Sequence, residues 1–228
     1  MFPKGLIVSS QALAGNPMLD TVKLASMAEA AALGGASALR VNGPEVVREL
    51  KRRVDIPIIG INKVKDETGR TVITPTFALA KDVVDAGASI VAVDACFYPS
   101  SIKEDLKTLT ERIHNELGAM VMADISTPEE AVAAAKAGVD AVSTTLAGYV
   151  PGALHSSEEL YTPNYSIIQE IAAKNLNIAL VAEGRFWTPE SVAKALNFGA
   201  QAVVIGKAIT NPMAITKYFI ANINQCLK

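Results

Sequence analysis

The chain has 228 residues, of which 50% are hydrophobic and 19% are charged, and its formal net charge is −2. A chain this apolar can bury a large core, which excludes a disordered protein, and its charge offers no basic surface for nucleic acid or anionic membranes. No apolar run approaches the roughly 20 residues that span a bilayer. Because barrels of eight βα units occupy roughly 250 residues, we expect a single domain over residues 1–228.

The cysteines and histidines argue against a metal or redox site. Cys96 and Cys226 are far apart and make no metal-binding or redox spacing, and His114 and His155 are too few for a multi-histidine site. The N-terminus runs directly into a strand-like segment, so we expect no signal peptide. Two free thiols then indicate a reducing compartment. We therefore expect a cytoplasmic protein that works without a metal or a cofactor.

A recurring junction, at which a helix ends and the next strand begins, divides the chain into units of one strand and one helix. Ala-rich helical segments end in Gly35, Gly87, Gly138 and Gly199, and glycine can end a helix in the left-handed conformation. The run that follows is apolar at successive positions, as in a parallel strand that is buried on both faces. The predicted strands, in chain order, are 6–11, 38–42, 57–63, 90–95, 120–125, 141–146, 178–183 and 202–206.

Helix starts are marked by Thr or Asn followed by Pro. The run Thr127-Pro128-Glu129-Glu130 offers a capping hydroxyl, a proline at the first helical position and acidic residues in the first turn. We interpret Thr74-Pro75, Thr188-Pro189 and Asn211-Pro212 as the same signal. The charged segment 64–70, after the third strand, predicts an exposed loop.

Alternating strands and helices fit either a closed barrel or an open doubly wound sheet. Eight evenly spaced units favour the barrel, and the glycine fingerprint of the open sheet is absent after the first strand. Gly206-Lys207-Ala208 is similar to part of a phosphate-binding P-loop, but Ala208 replaces the required Ser or Thr. The predicted fold is therefore an α/β protein, a (β/α)8 TIM barrel of the phosphate-binding type.

Polar side chains stand at the ends of the predicted strands, where the active sites of such barrels lie. Buried charges are costly unless they are paired or bind a charged ligand. Any one of these residues could be structural, but their convergence on one rim predicts a site. Tyr149, in the loop after the sixth strand, either lines the pocket or only packs. The rim residues are Gln11, Arg40, Asn42, Lys63, Asp94, Asp124, Thr144, Thr145 and Glu183.

The last two βα units contain residues that are typical of a phosphate-binding site. Gly184 and Arg185 precede a capped helix, and Gly206 and Lys207 follow the last strand. Glycine lets backbone N–H groups approach a phosphate, and a helix N-terminus adds a favourable dipole. Arg185 or Lys207 would supply the countercharge. The alternative is that these glycines only form tight turns. The signal predicts a small phosphorylated metabolite as substrate, most readily a sugar phosphate.

Six segments carry a family resemblance over nearly the whole chain. They are 5–11 (GLIVSSQ), 58–63 (IIGINK), 122–127 (MADIST), 144–149 (TTLAGY), 181–185 (VAEGR) and 206–210 (GKAIT). Together they resemble the N-acetylmannosamine-6-phosphate 2-epimerase family. The resemblance implies a cytoplasmic, metal-independent enzyme of sialic acid catabolism that converts N-acetylmannosamine 6-phosphate to N-acetylglucosamine 6-phosphate. Family members are often dimers, which implies a homodimer.

The resemblance also assigns roles to individual positions. It implies that Lys63 and Glu183 are catalytic, and that the family's phosphate-binding arginine falls on Asn211. We expect Lys207, where the family carries a small residue, to supply that charge instead. Ser10 and Asn62 stand where the family usually has Cys and Val. The substrate-binding residues that it implies are Gln11, Arg40 and Asp124, and we expect Thr145 and Tyr149 to contact the substrate as well.

The predicted chemistry is inversion of C2 through an enolate. Lys63 and Glu183 come from strands three and seven, which lie across the barrel from each other, so that one can remove a proton and the other can return it from the opposite face. Lys63 must be partly neutral to act as a base, which burial and the nearby Arg40 favour. Arg40 and Gln11 would stabilise the enolate oxygen.

Three alternatives stay open. A lysine at the end of a barrel strand also suits a lyase or aldolase that forms a Schiff base. The same predicted phosphate-binding site also fits another phosphosugar isomerase or epimerase. A sugar-phosphate sensor without catalysis is a third alternative, which Asn211 favours slightly and the pair Lys63 and Glu183 disfavours.

Overall fold

The computed structural model describes residues 1–149 and 161–226, with side chains described as far as Ile223, and His155 lies outside this part. Its strands are β1 (Gly5–Ser10), β2 (Ala38–Asn42), β3 (Ile58–Ile61), β4 (Lys63–Lys65), β5 (Thr71–Ile73), β6 (Ile90–Asp94), β7 (Met120–Asp124), β8 (Ala141–Ser143), β9 (Ala179–Glu183) and β10 (Ala202–Ile205). Its helices are α1 (Thr21–Leu33), α2 (Pro44–Lys51), α3 (Phe77–Asp85), α4 (Leu106–Arg112), α5 (Pro128–Lys136), α6 (Tyr165–Ala173), α7 (Pro189–Asn197), α8 (Lys207–Thr210) and α9 (Pro212–Cys226).

Eight parallel strands close into a barrel in the order β1-β2-β3-β6-β7-β8-β9-β10, and β10 pairs with β1. A helix follows each of these strands before the chain returns to the sheet, except that α8 and α9 follow the last one. The remaining two strands, β4 and β5, form an antiparallel hairpin after β3. The predicted (β/α)8 barrel is confirmed. Within the described residues, none of the helices combines the length and apolarity needed to cross a membrane.

The predicted caps begin three of the helices. Thr127 forms a full capping box with Glu130 at α5, and Thr188 caps α7 through the backbone N–H of Ser191. Asn211 caps α9, since its Oδ1 accepts a hydrogen bond from the N–H of Ala214 at 3.0 Å. Each cap satisfies a backbone N–H group that the first helical turn leaves without a partner.

The fourth predicted cap is wrong. Helix α3 begins at Phe77, and its N-cap is Thr76, not Thr74. Thr74 has φ 45°, far from the extended conformation that an N-cap residue adopts, because its backbone and side chain bond back to Asn62. The proline after Thr74 therefore lies ahead of the helix.

Two predicted strands end two or more residues earlier than expected. The third ends at Ile61, and Lys63 opens the hairpin, which replaces the expected loop over 64–70. Its turn is held by Asp66, 7% exposed, whose Oδ1 accepts hydrogen bonds from the N–H groups of Thr68 and Arg70. The sixth ends at Ser143 and continues as a 3-10 turn.

The barrel interior changes from apolar to polar toward the C-terminal ends of its strands. Side chains two residues apart in a strand lie on the same face, so each strand sends alternate residues inward. A buried cluster that includes Ile7, Ala38, Ile61, Ala92, Met122, Ala141 and Val181 fills the interior. Two positions after these residues stand, in the same order, Ser9, Arg40, Lys63, Asp94, Asp124, Ser143 and Glu183.

Candidate active site

Arg40 is the centre of an ion-pair network at the C-terminal rim of the barrel. Its Nη2 lies 2.6 Å from Asp124 Oδ2, and its Nη1 lies 2.7 Å from Glu183 Oε2. The same Nη1 donates to Asp124 Oδ1 at 3.0 Å and to Thr145 Oγ1 at 3.1 Å. The Arg40 and Asp124 side chains are 1% and 0% exposed, and that of Glu183 is 18% exposed. Both carboxylates therefore share one buried cation.

Hydroxyl groups at the end of β8 and in the 3-10 turn that follows it hold the two carboxylates in place. Thr145 Oγ1 lies 2.5 Å from Asp124 Oδ1 and 3.0 Å from Glu183 Oε2. Ser143 Oγ is 2.8 Å from the same Thr145 oxygen. The Thr144 hydroxyl donates to the carbonyl of Glu183 and accepts from its N–H, each at 2.9 Å. The 3-10 turn that shortens the sixth strand thus fixes both the backbone and the side chain of Glu183.

Lys63 lies at the base of the hairpin and has a neutral partner. Its Nζ donates to Gln11 Oε1 at 2.7 Å, while Gln11 Nε2 donates to Ser9 Oγ at 2.8 Å. The second bond sets which end of the Gln11 amide faces the lysine. The backbone N–H of Lys63 donates to Asn42 Oδ1 at 3.0 Å. Lys63 is therefore held by amide groups and forms no ion pair within 4 Å among the described residues.

The environment moves the pKa values of the rim groups apart. Burial lowers the pKa of Lys63, and Arg40 lowers it further, against the opposing effect of Glu183 and Asp124. Burial raises the pKa of Glu183, and Asp124 adds to this, although Arg40 works in the other direction. Burial also disfavours the charge of Arg40, but its two carboxylates more than offset this and raise the Arg40 pKa. Arg40 thus stays charged, while Lys63 loses its proton more readily than an exposed lysine.

Asp94 lies on the same rim but pairs with other residues. Its Oδ1 accepts from Lys103 Nζ at 3.0 Å, and its Oδ2 lies 3.8 Å from Arg70 Nη2. Arg70 stacks over the ring of Tyr98 at 4.3 Å. Burial raises the pKa of the neighbouring Cys96 to about 12, so this thiol is protonated at neutral pH and is no nucleophile. Asp94 therefore links the hairpin to the loop after β6.

The predicted phosphate residues follow β9 and β10. Gly184 and Arg185 adopt successive left-handed conformations, with φ 117° and φ 64°. Gly206 caps α8, which begins with the exposed Lys207. The hydroxyl of Thr210 donates to the carbonyl of Ser9 at 2.7 Å, which brings this helix against the end of β1. The phosphate-binding role of these residues stays a prediction.

The structure joins six of the predicted residues through direct contacts. Arg40, Asp124, Thr145 and Glu183 form one network, and Lys63 and Gln11 form a bonded pair beside it. Tyr149 is 53% exposed at the end of the first described segment. In the described segments no three His, Cys, Asp or Glu side chains cluster as metal ligands. The catalytic and substrate-binding roles stay predictions.

Several polar residues at the site are not among the predicted catalytic and binding residues. Ser9 and Ser143 hold the Gln11 amide and the Thr145 hydroxyl, and Asn42 holds the Lys63 backbone. The alternation of side chains along each strand could have identified both serines as facing inward, because each follows an apolar inward residue by two positions. No short-range pattern identifies Lys103, which reaches Asp94 from the next loop.

Comparisons with known proteins show the family of the chain. The sequence profile of the family described as "Putative N-acetylmannosamine-6-phosphate epimerase" matches residues 24–225. A relative from Caldanaerobacter subterraneus subsp. tengcongensis, named "Putative N-acetylmannosamine-6-phosphate 2-epimerase", is 46% identical over 97% of this chain and 92% of its own. A relative of the same name from Thermosynechococcus vestitus is 43% identical over 90% and 87%.

A solved structure is similar in fold as well as in sequence. It is the N-acetylmannosamine-6-phosphate 2-epimerase from Clostridium perfringens, which is 38% identical to this chain, with a TM-score of 0.87. The match covers 95% of this chain and 92% of that one. The chain belongs to the N-acetylmannosamine-6-phosphate epimerase family.

Proposed function

We propose that the chain inverts C2 of N-acetylmannosamine 6-phosphate and releases N-acetylglucosamine 6-phosphate. The observation that carries the proposal is a pair of ionisable groups from opposite sides of one rim. Lys63 follows the third barrel strand, and its pKa is lowered; Glu183 ends the seventh strand, and its pKa is raised. Opposite shifts of a base and an acid suit proton removal on one face of a carbon and proton return on the other.

The reaction needs an acidic C–H bond. In the open-chain sugar, C2 carries a hydrogen next to the C1 aldehyde, so its removal gives an enolate instead of an isolated carbanion. Neutral Lys63 accepts that proton in one direction, and protonated Glu183 donates a proton to the opposite face. In the reverse direction the two exchange roles, because the product differs from the substrate only in the configuration at C2.

Arg40 is suited to stabilise the negative charge that develops on the enolate oxygen. It is a buried cation that stays protonated, and Asp124 and Thr145 hold its guanidinium in a fixed position. A fixed charge in a buried site stabilises a transition state without reorganising, and this type of group contributes strongly to catalysis. Gln11, which already donates and accepts at the rim, is the second polar contact for the sugar.

The substrate phosphate is proposed to bind where β9 and β10 end. Gly184 and Gly206 leave space for backbone N–H groups to approach an anion, and Arg185 and Lys207 supply positive charge. Lys207 replaces the charge that Asn211 cannot provide, since the Asn211 side chain caps α9. Tyr149 is proposed to contact the sugar from the loop after β8.

The test is proton NMR of the purified protein with N-acetylmannosamine 6-phosphate in deuterated water. Formation of N-acetylglucosamine 6-phosphate with deuterium at C2 is the expected result, because a proton held by Lys63 or Glu183 exchanges with solvent. No conversion by folded protein would contradict the proposal. Borohydride added with the substrate separates it from the Schiff-base alternative, because a covalent adduct on Lys63 would indicate a lyase or aldolase.

We further propose a single cytoplasmic domain that forms a homodimer. The buried free thiol of Cys96 agrees with a reducing compartment. Helix α9 exposes Phe219, Ile220 and Ile223, which are 60%, 59% and 53% exposed, and such apolar surface favours association. Light scattering after size-exclusion chromatography is expected to give twice the mass of one chain, and the mass of one chain would contradict the dimer.

A further inference from the structure

Thr74 is a buried residue with a strained backbone. It lies just after the β4–β5 hairpin, is 0% exposed, and has φ 45°. This left-handed region favours glycine, and a β-branched side chain is particularly unfavourable there. Pro75 follows and restricts the conformation further. A strained residue persists only where its surroundings hold it, so the contacts of Thr74 identify what the strain maintains.

Both hydrogen bonds that Thr74 makes within the described part of the chain reach Asn62, the residue that precedes Lys63. The N–H of Asn62 donates to Thr74 Oγ1 at 2.9 Å, and the N–H of Thr74 donates to the carbonyl of Asn62 at 3.1 Å. The neighbours of Asn62 and Thr74 are paired as well, because Lys63 lies opposite Ile73 in the hairpin. Thr74 therefore closes the base of the hairpin at the point where the chain leaves the barrel.

We propose that Thr74 is a positioning residue for Lys63, and that its hydroxyl and left-handed backbone fix the start of the hairpin so that Lys63 Nζ meets Gln11. The inference rests on the proposed epimerase function for its kinetic consequences. Asn42 holds the N–H of Lys63 from the other side at 3.0 Å. Two successive N–H groups, of Asn62 and Lys63, are thus held by side chains of the barrel rim.

The position of the backbone at Lys63 matters because the lysine side chain makes few contacts of its own. The side chain has four rotatable bonds, and the only hydrogen bond that its Nζ makes among the described residues is to Gln11. Its proximity to Arg40 and its burial, which lower its pKa, both depend on where the hairpin begins. A displacement of about 1 Å at a reacting group can reduce the rate by as much as roughly a hundredfold. The backbone at Asn62 and Lys63 must therefore be placed accurately.

Four variants test the proposal. Thr74→Ser keeps the hydroxyl, and we expect its kcat to stay within about threefold of the wild type. Thr74→Val removes the hydroxyl at constant shape, and Thr74→Gly removes it while relieving the strain; we expect kcat to fall by about tenfold or more in both, with KM changed less than about threefold. Thr71→Val is the matched control, because Thr71 is exposed in the same hairpin and should tolerate the change.

The glycine variant separates positioning from stability. Because it removes the strain, its melting temperature should not fall below that of Thr74→Val, yet its activity should be equally low. If instead the kcat of Thr74→Gly equals that of the wild type, or if kcat follows melting temperature across all four variants, the proposal is overturned.

A second readout is independent of the reaction. Competitive acylation followed by mass spectrometry gives the pKa of Lys63 in each variant, with a free lysine derivative as the reference. We expect the Lys63 pKa to rise toward that of the free lysine side chain in Thr74→Gly and to stay low in Thr74→Ser. An unchanged Lys63 pKa in Thr74→Gly would overturn the proposal. A wild type that does not epimerise the substrate would instead contradict the proposed function, and the acylation result would still decide the role of Thr74.

Discussion

Arg40 and Lys63 are two cations on one rim with opposite surroundings. Arg40 extends from β2, inside the barrel, and shares two carboxylates, which raise its pKa. Lys63 stands on a hairpin beyond the end of β3 and bonds to the neutral amide of Gln11, and its pKa is lowered. Arg40 also acts on Lys63, because its positive charge contributes to the low pKa of that lysine.

The difference shows how one site can hold a permanent charge beside a group that exchanges protons. Strand β2 supplies the permanent charge, because it places Arg40 within bonding distance of Asp124 and Glu183. The hairpin supplies a titrating lysine that has no ion pair within 4 Å among the described residues, and β9 supplies the carboxyl group of Glu183, which acts with it.

Removing the titrating cation should have the largest effect. We expect Lys63→Met to reduce kcat by about 10³-fold, within the range that general acid–base groups contribute, without loss of thermal stability. Lys65→Met is the matched control, because Lys65 lies two residues further along the same hairpin and is exposed. The measurement is NMR of conversion at saturating substrate. A kcat of Lys63→Met within tenfold of the wild type would remove Lys63 from the reaction.

Removing the fixed cation should instead reduce stability. Arg40→Met leaves two buried carboxylates without their cation, which we expect to lower the free energy of unfolding by about 3–5 kcal/mol at neutral pH. Burial and Asp124 already raise the Glu183 pKa, and the loss of Arg40 raises it further. A raised carboxyl pKa gives more stability below its titration range than above it, so mildly acidic pH should recover part of the loss.

Urea unfolding at the two pH values measures this, with Arg52→Met as the control. Arg52 forms an exposed pair with Glu49, and surface pairs contribute about 1 kcal/mol at most. Equal losses of unfolding free energy in the two variants would show that the Arg40 network does not behave as a buried ion cluster. A larger loss of unfolding free energy for Arg40→Met at acidic pH than at neutral pH would show the same.

Lys207 tests whether a third, exposed cation acts on the phosphate. We expect Lys207→Ala to raise KM for N-acetylmannosamine 6-phosphate by about tenfold, which is the loss of one charged hydrogen bond, with little change in kcat. Any turnover of unphosphorylated N-acetylmannosamine should be unaffected. An unchanged KM for the phosphorylated sugar would assign the phosphate charge to another residue.

The smallest expected effect is a shift of the pH profile. Asp124 raises the pKa values of both Lys63 and Glu183, because a nearby negative charge favours protonation of each. Asp124→Asn should therefore move both limbs of the kcat/KM profile to lower pH. Asp85→Asn, which removes an exposed carboxylate, is the control. A shift to higher pH, or an equal shift in the control, would contradict this electrostatic coupling.

Local patterns in the sequence predict the barrel and most of its rim. Continuous apolar runs predict the parallel strands, and Thr127, Thr188 and Asn211 predict helix starts, because these signals act over a few residues. Polar residues at strand ends, such as Arg40 and Asp124, must be near one another once the strands are parallel. Their roles follow from the family resemblance and remain to be measured.

The hairpin could not be predicted because its causes are distant in sequence. The hydrogen bonds between Thr74 and Asn62 join residues 12 positions apart. Because of these bonds Thr74, which the sequence indicates as a helix cap, instead adopts a strained conformation that holds the base of the hairpin. Lys103 and Arg70 reach Asp94 from two different loops. Contacts of this kind depend on how the loops meet above the barrel, which no local spacing records.

The most direct test of the contrast between the two cations is an NMR titration of the lysine side chains in the substrate-free protein, with Lys63→Met used to assign the Lys63 signal. We expect Lys63 to lose its proton at lower pH than a free lysine side chain in water, and at still lower pH in Asp124→Asn. A Lys63 signal that titrates at the pH of a free lysine side chain would contradict this contrast, because the rim would then hold two permanent cations and no neutral lysine to act as a base.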